Sequence, residues 1–146
     1  MRVVTFAQWI PTLLLGVATS VAPNYAPPPG ALNPEVTQSN IAQTICVRGW
    51  AAAVRPPRTF TDALKRQQIA ERHLPGTPAD YEEDHLVPLE LGGAPRDRRN
   101  LWPQPWPEAK RKDRLEDAYH RAVCAGRMTL SDARRMVVDP RKWRTP

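Results

Sequence analysis

At 146 residues the chain has room for one domain, and 17 Pro with only two Phe suit short elements joined by rigid connections and exclude a large sheet. A formal net charge of +6, carried mostly by arginines and lysines after residue 85, suits a polyanionic partner, most simply nucleic acid. Two cysteines, Cys46 and Cys124, exclude a paired Cys-x-x-Cys metal knuckle.

Met1-Arg2, the apolar run Leu13 to Ala18 and the small residues Ala18-Thr19-Ser20 predict a cleaved signal peptide over residues 1–20. Gln8 and Pro11 interrupt this stretch, so no stable membrane insertion is expected, and the protein is expected in the periplasm or outside the cell. Residues 21–35, with PNYAPPPGALNP, read as a Pro-rich linker, and residues 36–146 as the folded domain. In an exported protein the two cysteines pair as one disulfide, tying the start of the domain to a helix near its end.

Thr37 to Cys46 is expected as a short helix, and Val47 to Val54 as loop or strand before Arg55-Pro56-Pro57 forces an extended turn. A helix capped by Thr59 or Thr61 is expected from Asp62 to about Arg72. Glu83 to Leu89 reads as an edge strand, limited by Pro88, and Gly92-Gly93 as a turn. After the basic loop Arg96 to Arg99, a short strand at Asn100 to Trp102 completes an antiparallel hairpin. Trp102 and Trp106 are expected to pack beneath it. Pro107 opens a helix to Cys124 with Leu115, Tyr119, Val123, Glu108 and Lys112 facing inward, and Asp113, Asp117 and His120 facing away. A last helix starts at the cap Ser131, with Thr129 before it, and runs to about Val138. The fold class is therefore α+β, mostly helical.

The chemistry concentrates in Glu82-Glu83-Asp84-His85. Asp84 offers hard oxygen to a divalent metal (Mg, Mn or Zn), and His85 is suited to act as a general base on water. Asn100, across the hairpin, would hold the imidazole through its amide carbonyl. Successive strand residues alternate faces, so Asp84 and His85 need a bulge or a strand end to serve one site. Arg98, Arg99 and Lys112 are candidate phosphate contacts, and Lys112 could instead supply the charge of a metal.

Asp84-His85-Leu86-Val87-Pro88-Leu89, Gly92-Gly93 and Asn100-Leu101 resemble the first two-thirds of the HNH endonuclease motif, carried on a ββα-metal hairpin-plus-helix core with flanking short helices. Thr37-Gln38, Thr44-Ile45-Cys46, Arg55-Pro56-Pro57, Leu64-Lys65, Glu83-Asp84-His85, Asn100 to Pro103 and Lys112-Asp113 resemble a group of small, often exported bacterial proteins of HNH type. The resemblance implies a metal-dependent nuclease that hydrolyses phosphodiester bonds of DNA or RNA. HNH enzymes usually add a histidine or asparagine ligand from the helix, and this helix offers neither near its start. Helical periodicity points to Glu108 as its replacement; the resemblance points to the Lys112-Asp113 pair, with Glu116 one turn on. That gap motivates an alternative, a disulfide-stapled binding module without catalysis on the same ββα scaffold.

Overall fold

The computed structural model describes residues 26–144, so the expected signal peptide and the first part of the linker lie outside the described residues. The chain is α+β and mostly helical, with one two-stranded antiparallel sheet. A 3₁₀ turn at Gln38–Gln43 leads to a short helix α1 (Trp50–Val54), then α2 (Arg58–Glu71). Strands β1 (Tyr81–His85) and β2 (Leu101–Pro105) form the hairpin, and α3 (Trp106–Cys124) and α4 (Leu130–Val137) follow. Among the described residues no helix is long and apolar enough to cross a membrane.

The sheet lies between α2 and α3, each of which touches both strands. Register pairs Asp84 with Trp102 and His85 with Leu101. α2 starts at Arg58, earlier than expected, because Pro57 supplies a fixed φ at its N-cap and neither threonine is needed there. It docks through Leu64 and the buried Gln68, whose Nε2 donates to the Leu101 carbonyl at 3.0 Å. α3 buries Ala109, Lys112 and Val123. Trp50 to Val54 is helical where loop or strand was expected, entered through Gly49 at φ 85°, a left-handed value that favours glycine.

Val36, Ile45, Leu91, Val123, Leu130, Ala133 and Val137 make the larger apolar cluster. Leu86, Trp102 and Trp143 make a second beneath the hairpin, with Trp102 and Trp143 ring centroids 6.0 Å apart. The Cys46–Cys124 disulfide forms as expected and closes the larger cluster by joining the end of α3 to the residue after Ile45. With its ends 78 positions apart, it removes about 4–5 kcal/mol of unfolded-chain entropy.

Residues 30–36 are not a free linker. Gly30 N–H donates to the Arg99 carbonyl at 2.7 Å, Asn33 N–H to Gly92 at 2.9 Å, and Leu32 bridges Gly93. This strand-like strap satisfies backbone groups of the hairpin loop that would otherwise face inward unpaired.

Candidate active site

β1 carries Glu82, Glu83, Asp84 and His85 in a row, and the regular register gives adjacent residues opposite faces. Asp84 and His85 nonetheless share one site. His85 is the last residue of β1, and both side chains line one cavity of about 70 Å³ with Glu82, Glu83, Asp113, Glu116 and Arg55.

His85 is 6% exposed, and its Nε2 lies 2.9 Å from the Pro95 carbonyl oxygen. A carbonyl only accepts, so Nε2 carries the proton and Nδ1 keeps its lone pair. Burial lowers its pKa below the ordinary histidine value, against the opposing Pro95 hydrogen bond and the Asp84 charge, and favours the neutral ring.

Asn100 makes no hydrogen bond to the imidazole. Its Oδ1 accepts from Val87 N–H at 2.9 Å and Ala31 N–H at 3.4 Å; its Nδ2 donates to Val87 O at 3.0 Å and Ala94 O at 3.1 Å. The expected clasp on His85 is thus one residue removed: Asn100 holds the Ala94 carbonyl, and the neighbouring Pro95 carbonyl holds the ring. The glycine pair belongs to the same clasp. A side chain at Gly93 would collide with the Val87 carbonyl oxygen, and one at Gly92 would sit 2.6 Å from Val36 Cγ1.

Lys112 is fully buried. Its Nζ donates to Asp84 Oδ2 at 2.9 Å, to the His85 carbonyl at 2.8 Å and to Glu116, and Trp102 Nε1 donates to the same Asp84 oxygen at 3.3 Å. Burial alone would lower the lysine pKa, but Asp84 and Glu116 outweigh it and raise it above the ordinary value. One ammonium cannot neutralise two buried carboxylates, and Glu116 is raised, by burial first and by the Asp84 charge. Glu82 rises to about 7 and Glu83 to about 8, burial leading in both. Asp113, on the exposed side of α3, is raised by burial and then by Asp84.

These positions do not fit the expected metal centre. The space among Asp84, Glu116 and the His85 carbonyl holds an ammonium. Glu108, the ligand favoured by periodicity, lies 3.3 Å from Arg144 at the start of α3 and does not line the cavity. Asp113 and Glu116 both line the cavity. Among the described residues, the group with three ligand atoms within 4.8 Å of one another is Cys46, His120 and Cys124, which could hold a metal ion. Its sulfurs are joined in the disulfide here, and a metal there would need them as thiolates. His120, expected on an outer face, instead donates from Nε2 to the Ile45 carbonyl at 2.8 Å.

Of the expected phosphate contacts, Lys112 is inaccessible, Arg98 pairs with Glu71 at 2.7 Å and Arg99 with Asp97 at 2.6 Å. The charges that do flank His85 are others. A groove of about 330 Å³ adjoins it, lined by Arg55, Arg58, Lys65, Glu83 and Trp106 among others. Trp106 is 39% exposed, whereas Trp102 is buried as expected. Arg55-Pro56-Pro57 was read as a turn and as part of the resemblance; missed was that Arg55 lines both cavities beside the acidic strand. Comparison of the chain with protein-family models, with curated proteins and with solved structures finds no match.

Proposed function

We propose that the chain hydrolyses phosphodiester bonds in nucleic acid with little sequence preference, His85 serving as the general base. The observation that carries this is the setting of His85: a buried ring whose pKa burial lowers, its Nε2 lying 2.9 Å from the Pro95 carbonyl oxygen and its Nδ1 unbonded among the described residues, at a cavity that also holds Asp84. Nδ1 takes a proton from water, the water oxygen bonds to phosphorus, and the bond to the leaving oxygen breaks. Glu82, protonated up to about pH 7 and in the same cavity, can return a proton to that oxygen. Arg55 and the widely exposed Arg58 supply phosphate contacts in the adjoining groove, and Trp106 supplies a face on which an unpaired base stacks.

The hairpin followed by α3 across its face is read as the ββα core that the motif resembles. No step is routed through a metal, because Lys112 stands where Asp84 would present one. That same plug favours the second reading, a binding module on this scaffold that has lost catalysis. Incubating the full chain with plasmid DNA and with single-stranded RNA, with and without magnesium or manganese, separates the two. Cleavage by wild type that disappears in His85→Ala supports hydrolysis. Tight binding with no cleavage in any condition selects the module.

A further inference from the structure

We infer that Lys112 is a positioning residue that serves as the site's resident cation, pre-empting a divalent ion at Asp84, so that chemistry at His85 proceeds without one. This deepens the hydrolytic proposal and rests on it only for the catalytic consequence.

The coordination is that of a cation site. Nζ is surrounded by three oxygens from two elements: the Asp84 carboxylate and the His85 carbonyl from β1, and the Glu116 carboxylate from α3. An ammonium has three protons to donate, and each has an oxygen here. Carboxylates and a backbone carbonyl are also the donors that hard divalent ions take. Lys112 is wholly buried, so it cannot contact a substrate phosphate. It acts through what it holds. One bond fixes the His85 peptide at the strand end, another fixes Asp84 against Trp102, and Glu116, one helical turn on, steadies the ammonium from α3. Two elements that a metal would bridge are therefore bridged by a covalently tethered charge. A divalent ion placed at the same oxygens would meet that ammonium at close range in a low-dielectric interior, where like charges repel strongly.

The test uses manganese, a hard ion with little affinity for the disulfide sulfurs. Binding is followed by electron paramagnetic resonance on the full chain for wild type, Asp84→Asn, Lys112→Ala and the Lys112→Ala/Asp84→Asn double variant. Wild type and Asp84→Asn are expected to bind manganese alike, with no component that depends on Asp84. Lys112→Ala is expected to gain one ion per chain, and the double variant to lose it. In hydrolysis, wild type is expected to resist chelator, while Lys112→Ala is inactive in chelator and regains activity with manganese. An Asp84-dependent ion in wild type overturns the inference, as does a folded Lys112→Ala that gains none. Should Lys112→Ala not fold, the comparison of wild type with Asp84→Asn still decides. If no form hydrolyses anything, the proposed function fails while the manganese comparison still judges Lys112.

Discussion

Replacing Asn100 by alanine distinguishes a clasp on the loop from a clasp on the imidazole. The substitution strands the Val87 N–H, the Val87 carbonyl and the Ala94 carbonyl, which Asn100 engages at 2.9, 3.0 and 3.1 Å. Val87 is buried and Ala94 only partly so, and the Ala31 contact at 3.4 Å is long. Two fully orphaned groups and one partly solvated one, at about 1–1.5 kcal/mol each, give a loss of about 3–4 kcal/mol. For an m-value of about 1.5 kcal/mol/M, the urea midpoint should fall by about 2–3 M. Equilibrium unfolding followed by tryptophan fluorescence measures this, since Trp102 and Trp143 lie beneath the hairpin. A midpoint shift under about 0.5 M, at that same slope, would refute the assignment. A stable variant that is nonetheless catalytically dead would restore direct orientation of His85 by Asn100.

Other consequences are equally specific. Gly93→Ala forces a methyl group into the Val87 carbonyl and should destabilise by about 3 kcal/mol or more in the same urea titration. The Cys46→Ser/Cys124→Ser double variant should lose up to about 4–5 kcal/mol, and reduction of wild type should reproduce that loss; equal stability of the two forms would show that the cross-link constrains nothing. Glu83 is held at about 8 in the folded chain against about 4.5 unfolded. The stability this raised pKa confers is complete below about 4.5 and fades as pH rises toward 8. Glu83→Gln should therefore gain on wild type as pH climbs through that window in thermal melts, and a pH-independent difference would contradict the burial argument.

Much of the local architecture was legible because its signals are local. A strand before Gly92-Gly93 and the α3 stripe with Lys112 turned inward follow from spacing, although β1 runs Tyr81–His85 rather than Glu83 to Leu89 and Thr129, not Ser131, caps α4. The disulfide was legible from two cysteines in a chain read as exported. What remained hidden depends on partners far along the chain. Asn100 was seen beside His85 across the hairpin, but its bonds reach back 13 positions to Val87 and 69 to Ala31. Residues 30–33 have a linker's composition, yet Gly30, Ala31 and Asn33 hydrogen-bond to the loop at 92–100. Glu108 faces inward on a helical wheel, but a wheel does not say which neighbour it meets, and Arg144 from the end of the described chain takes it. Lys112 was placed correctly on its face, whereas the cage of three oxygens around it needs the register of β1 against α3.

The central claim, that His85 is a base serving phosphodiester hydrolysis, is tested most directly with a small activated diester such as bis(p-nitrophenyl) phosphate, which needs no groove to bind. Release of p-nitrophenol is compared between wild type and His85→Ala of matched circular dichroism. The account predicts turnover by wild type and a loss of about 10²-fold or more in the variant. Equal rates in the two proteins would contradict it.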